Sequence, residues 1–116
     1  MFILPMVCII VVGPADHGAA VLIRAVEPVA GEDDMSQRRS AHSGVDITNG
    51  PAKLCQALLI DKALNGHDLR HSPLRLLPEP ALSQAHIVQT TRIGISRDTD
   101  RPWRFYIRGN PYVSKP

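Results

Sequence analysis

The stretch NGPAKLCQALLIDKALNGHDL, residues 49–69, decides how the chain is read. Gly50 breaks the preceding segment, and Pro51 suits the first position of a helix, where its missing N–H costs nothing. Leu54, Ala57 and Leu58 recur at i, i+3 and i+4, which lays an apolar stripe along one face. Asn65-Gly66 is a stop-and-turn signal beyond the last apolar residue. The spacing predicts one short helix with a loop at each end. Its start offers unpaired N–H groups and the positive end of the helix dipole, with Lys53 close by, a combination that can hold a phosphate. The same pattern also describes an ordinary amphipathic core helix with a solvated lysine, the commoner case for so short a motif.

Upstream, residues 1–12, MFILPMVCIIVV, are almost wholly apolar. The run falls short of the roughly 20 apolar residues that span a bilayer. It lacks the basic start and small-residue cleavage site of a signal peptide. Residues 8–12 are rich in β-branched side chains and read as a buried strand, limited by Pro5. Such a strand needs sheet neighbours, a hint that others precede it. Gly13-Pro14 and Asp16-His17-Gly18 form a loop. Residues 19–26, AAVLIRAV, give a second strand carrying one charge, Arg24. A guanidinium in an apolar strand needs a carboxylate, a phosphate or carbonyls. Glu27 is near in sequence, though adjacent strand residues point to opposite faces. Glu32, Asp33 and Asp34 open a short helix that closes on Arg38 and Arg39, a charge order that suits the helix dipole and is read as a solvated face. Residues 40–49 read as a polar loop.

Downstream, Pro73, Pro78 and Pro80 keep the chain irregular apart from an extended piece at residues 74–77. Residues 86–95, HIVQTTRIGI, read as a strand in which Gly94 permits close backbone approach or a bulge. Residues 97–102 turn, and residues 103–108, WRFYIR, form the last strand.

At 116 residues the chain is one domain at most, and 44% hydrophobic against 21% charged residues marks a globular protein rather than a disordered one. The net charge of +2 does not by itself argue for nucleic acid, but its distribution is uneven. Residues 1–49 carry −3, residues 50–91 carry +1 and residues 92–116 carry +4. The basic C-terminal end is compatible with an anionic partner, and equally with a solvated strand face. Cys8 and Cys55 lie in apolar runs outside any CxxC pair and read as reduced, buried thiols of a cytosolic protein. The five histidines show no metal-ligand spacing. His67 and His71 are four apart, but on poor helix with no third ligand.

Five blocks then stand in order: GAAVLIRAVEP (residues 18–28), NGPAKLCQALLID (49–61), NGHDL (65–69), TRIGI (91–95) and PWRFYIRGNPYVS (102–114). Together they resemble the C-terminal half of the alkyladenine, or 3-methyladenine, DNA glycosylase family. The resemblance implies an α+β fold, with a mixed, mostly antiparallel curved sheet and short helices, and residues 1–116 as a single partial domain. It implies base-excision repair, in which an alkylated purine is flipped from duplex DNA and stacked between aromatic side chains. A carboxylate then activates water for hydrolysis of the N-glycosidic bond, with no metal and no cofactor, while an aromatic residue wedges into the minor groove. The expected partner is double-stranded DNA with an alkylated purine. The expected state is a monomer, away from membranes, in the cytoplasm and nucleoid-associated if bacterial.

The resemblance carries over to Arg24, near the attacking water and the target phosphate, to Lys53 and Lys62 near the DNA backbone, and to Gly94 where backbone approaches DNA. Glu27 matches a structural turn. The family's Glu-Thr-Glu-Ala-Tyr-like strand, which holds the catalytic glutamate, has no match here, nor do the aromatic groups that sandwich the base. Residues 2–6, FILPM, lack the tyrosine of the intercalating Tyr-Gly-Met turn, and Ile9 stands where the family has an asparagine. The expectation is a truncated family member inactive as a glycosylase on its own. The alternatives are a non-catalytic DNA-binding remnant and a gene fragment that does not fold.

Overall fold

The computed structural model describes residues 2–4, 7–12, 19–93, 97 and 100–115, the first three as backbone. The chain falls into two compact units, Met1–Leu77 and Pro78–Pro116. The architecture is small α+β, with every described strand pair antiparallel.

In the first unit, β1 (Phe2–Leu4), β2 (Val7–Val12) and β3 (Ala19–Ile23) form a sheet in the order β1-β2-β3. β2 pairs with β3 in the register Cys8↔Ile23 to Val12↔Ala19. β1 (Phe2–Leu4) is a strand that the sequence reading does not anticipate. The expected strand at residues 19–26 ends at Ile23, leaving Arg24 just beyond it. β3 is also more exposed than its apolar sequence implies.

α1 (Glu32–Arg38) begins at Gly31, whose φ of 80° is a left-handed conformation that glycine adopts without a Cβ clash. Its acids sit in the first turn and Arg38 in the last, as the dipole favours. The arginines correct the reading of a solvated face. Arg38 Nη1 donates to the Ala57 carbonyl at 2.8 Å, and Arg39 donates to the Ile47 and Asp46 carbonyls and to Gln56 Oε1. A planar fork of donors suits the carbonyls left unpaired at turn ends. The expected polar loop contains a 3-10 turn, Gly44–Ile47, and buries Ile47 and Thr48.

α2 (Pro51–Ala57) starts at Pro51, but it stops well before Asn65-Gly66. Leu59 takes a φ of 55°, and the Ile60 amide returns to the Cys55 carbonyl at 2.8 Å, closing the helix with a left-handed residue. Asp61 Oδ1 then accepts from the Ala63 amide at 2.9 Å and starts a separate 3-10 turn, Lys62–Leu64. Leu54 and Cys55 bury against Cys8 and Ile60, flanked by Ile23, Val26, Leu58, Leu64 and Leu74. The helix therefore covers the face of the sheet that carries Cys8. Both cysteines are buried and neither is in a disulfide.

In the second unit, β4 (Ile87–Thr90) pairs with β5 (Arg104–Ile107), from Ile87↔Ile107 to Thr90↔Arg104. Among the described residues the strands form two antiparallel sheets, one in each unit, in keeping with the mostly antiparallel α+β class expected. The strand expected to reach residue 95 ends at Thr90, while Gly94 and Ile95 lie outside the described residues, as does the expected loop at residues 13–18. Among the described residues, every fully buried side chain belongs to the first unit. None of the described helices is long and apolar enough to cross a membrane.

Candidate nucleic-acid interface

Arg24 leaves the end of β3 half-buried, and it makes no hydrogen bond or ion pair with any described residue, Glu27 included. The backbone just beyond it is fixed. The Val26 amide donates to the Thr48 carbonyl at 3.2 Å, and Thr48 Oγ1 donates to the Val26 carbonyl at 2.7 Å. Thr48 is fully buried, so this pair of bonds is shielded from water. A partly desolvated guanidinium without a partner among the described residues, carried on a fixed backbone, is a site where an anion gains most.

Lys53 lies in the first turn of α2 with its ammonium already engaged, at 2.7 Å from Asp46 Oδ1 and 2.8 Å from Asn49 Oδ1. Asp46 also faces His42 at 3.3 Å and Arg39 at 3.8 Å. The Lys53 hydrogen bond, reinforced by the nearby positive charge of Lys53 and Arg39, holds the Asp46 carboxyl below its ordinary value. The cluster still carries more positive than negative charge. Lys62 opens its 3-10 turn exposed, its carbonyl accepting from the Asn65 amide at 3.0 Å and its ammonium making no hydrogen bond or ion pair to described residues. Gly94 lies outside the described residues.

The second unit carries its own basic surface, and its arginines do more than solvate a strand face. The Arg92 and Arg101 guanidiniums lie 5.0 and 4.9 Å from the Trp103 ring centre, and the Arg104 guanidinium lies 4.6 Å from that of Tyr106. Such cation–π contacts hold the charges at fixed positions along the hairpin. Arg92 Nη2 donates to the Arg97 carbonyl at 3.3 Å, while its Nε is buried without a partner. The alternation of WRFYIR turns Phe105 and Ile107 outward beside these charges, Phe105 at 62% exposure.

Sequence reasoning singled out Arg24, Lys53 and Lys62 but missed Thr48, Arg39 and the Arg92–Trp103 contact. Each of those three acts on residues distant in the chain or across a strand pair, which no local pattern encodes. The basic residues flanking Trp103 were the one available signal. Apart from Asp46, every described carboxylate is exposed. No group of three or more potential metal ligands occurs among the described residues, and His67 is turned toward the His71 and Leu74 carbonyls.

An arginine just beyond a strand end in the first unit, and a basic aromatic hairpin in the second, each suit contact with a polyanion. The chain matches the family model described as methylpurine-DNA glycosylase (MPG) over residues 3–111. A protein of Methanoculleus marisnigri named "Putative 3-methyladenine DNA glycosylase" is 46% identical over 109 residues, covering 91% of this chain and 57% of that relative. Proteins of the same name from Carboxydothermus hydrogenoformans and Enterococcus faecalis are 46% and 48% identical over 108 and 98 residues. These matches cover 91% and 82% of this chain, and 56% and 43% of the relatives. The chain belongs to the methylpurine-DNA glycosylase family, and it spans about half the length of the curated relatives it matches.

Proposed function

We propose that these residues form the DNA-gripping part of a glycosylase that removes alkylated purines from double-stranded DNA, in the C-terminal part of that fold. In this reading Arg24 contacts the phosphate of the target nucleotide. Lys62 holds the flanking backbone, and Lys53 joins it by exchanging Asp46 for phosphate. The second unit, taken by itself, offers the arginines of its β4–β5 hairpin to DNA backbone. The observation that carries the reading is Arg24 itself, a half-buried cation with no described partner. Hydrolysis of the N-glycosidic bond needs a carboxylate beside the flipped sugar to activate water. Asp46 is occupied by Lys53, and the other described carboxylates are exposed. In this reading the 116 residues alone bind DNA without releasing a base, since the family's glutamate-bearing strand has no match in the sequence. The protein works as a monomer in the compartment that holds the DNA.

The test is fluorescence anisotropy on a duplex between 50 and 200 mM salt, with base release measured in parallel on methylated DNA. Binding weakens steeply with salt, and Arg24→Ala lowers affinity for all sequences and reduces the salt slope by about one. Base release that disappears with Arg24→Ala refutes the inactivity of the chain. Affinity and slope unchanged by Arg24→Ala refute the role of Arg24.

A further inference from the structure

The β4–β5 hairpin has two unlike faces. Directly paired residues share a face, so Phe105 and Ile107 lie with Gln89 and Ile87, while Arg104 and Tyr106 lie with Thr90 and Val88. All four residues of the second set are half-buried. The first set is open. Phe105 is 62% and Ile107 44% exposed, Gln89 is exposed, and Ile87 alone is half-buried. Trp103, immediately before β5, continues the open series at 53%. Exposure thus separates the two faces, and two aromatic rings stand on the open one.

The chemistry around these rings narrows the choice of partner. The Arg92 and Arg101 guanidiniums lie 5.0 and 4.9 Å from the Trp103 ring centre, and Gln89 Nε2 donates to the Pro102 carbonyl at 3.0 Å. The indole is therefore held in place, with charge against it. Phe105 makes no ring contact with a described residue, so its ring is available for stacking. Residues 92–116 carry a net charge of +4. An apolar protein cover would desolvate the guanidiniums without pairing them. A nucleic acid pairs them with phosphate and brings flat rings of its own to the aromatic side chains. The spacing favours unpaired bases. Alternate residues of a strand stand about 6.6 Å apart. Bases along a strand of duplex DNA stand about 3.4 Å apart. Platforms so spaced suit bases drawn out of their stack, which a single strand supplies.

We propose that the Trp103–Phe105–Ile107 face of the β4–β5 hairpin binds single-stranded DNA. One base stacks on Phe105, its neighbour packs against Trp103, and the phosphate between them lies beside Arg101. Ile107 extends the apolar floor under the strand. This goes beyond the gripping of a duplex: it concerns unpaired bases and residues of the second unit alone, so it stands or falls apart from Arg24.

Trp103 is the single tryptophan of the chain, and its fluorescence reports the site directly. The test titrates the full 116-residue chain with a short oligothymidylate and with an abasic strand of the same length and charge. The expected outcome is saturable quenching by oligothymidylate, with the abasic strand bound about tenfold or more weaker. Phe105→Ala and Phe105→Leu, at an exposed position, each weaken oligothymidylate binding by about five- to 150-fold. Both leave the abasic affinity and the circular dichroism unaltered, and Phe105→Tyr, which keeps a ring, retains binding. Arg24→Ala leaves the ratio of the two affinities unchanged, which separates this site from the proposed duplex contacts. Four results overturn the proposal: equal affinity for the two strands, which reduces the face to its charge; oligothymidylate binding that neither Phe105→Ala nor Phe105→Leu weakens; tighter binding of oligouridylate, which assigns the face to RNA; or self-association of the chain that shields Trp103 from a soluble quencher, which assigns it to a second copy.

Discussion

Replacing Thr48 by valine keeps the shape of the side chain and removes one hydroxyl. The hydroxyl is fully buried and donates at 2.7 Å to the Val26 carbonyl, two residues beyond Arg24. A neutral hydrogen bond contributes about 0.5–1.5 kcal/mol net, and leaving its buried acceptor unpaired costs about 1–3 kcal/mol. A loss of about 1–2 kcal/mol is therefore expected. The unit Met1–Leu77 is of a size that is stable by only about 4–12 kcal/mol, so this is a sizeable fraction. In urea, with a slope of about 1 kcal/mol per molar for so small a unit, the midpoint falls by about 1–2 M with the slope unchanged. The Val26 amide, which donates to the Thr48 carbonyl at 3.2 Å, exchanges faster because its bond loses its companion. Arg24 then sits on a looser backbone, and DNA affinity falls without any change of charge. An unmoved midpoint together with unchanged Val26 exchange refutes the argument that this pair of bonds fixes Arg24.

Three further predictions concern the core and the charges. Leu54→Ala, at the most buried large side chain, costs about 2–5 kcal/mol by leaving a cavity between α2 and β2, read from the shift of the urea midpoint. Cys8 and Cys55 are pushed up from the ordinary thiol value by burial, so native protein at pH 7 reacts slowly with iodoacetamide and unfolded protein reacts fast; equal rates in the two states contradict their burial. The Asp46 carboxyl is held below its usual value of 3.8 in the folded chain, chiefly by the Lys53 hydrogen bond. Its contribution to stability is therefore complete above that value and is lost as pH falls through the folded value. Lys53→Met flattens the dependence of the urea midpoint on pH below about 4, and high salt flattens it in the wild type.

Much of the first unit was legible in local pattern. The Gly50-Pro51 start and the i, i+3, i+4 apolar spacing marked α2, the β-branched run marked β2, and the order of acids and bases marked α1. These signals are local because they reflect backbone geometry, capping and dipoles, which act within a few residues. The ends of elements were less legible. α2 stops at Ala57 because Leu59 adopts a left-handed conformation and Asp61 starts a new turn. Asn65-Gly66 was the stronger stop signal in the sequence, yet the tertiary packing of Ile60 decided the matter first.

The candidate site divides along the same line. An isolated charge in an apolar run identified Arg24 from the sequence, because an unpaired guanidinium among aliphatic residues is costly wherever the chain folds. The family was also written in the sequence, since blocks of identical residues in order survive without reference to coordinates. Only the tertiary structure decided that Arg24 has no described partner, that Lys53 is held by Asp46 and Asn49, and that Thr48, from an unremarkable polar loop, fixes the backbone beyond Arg24. Thr48 and Val26, 22 residues apart, meet only when the chain closes on itself, and burial belongs to the assembled fold rather than to any stretch of it.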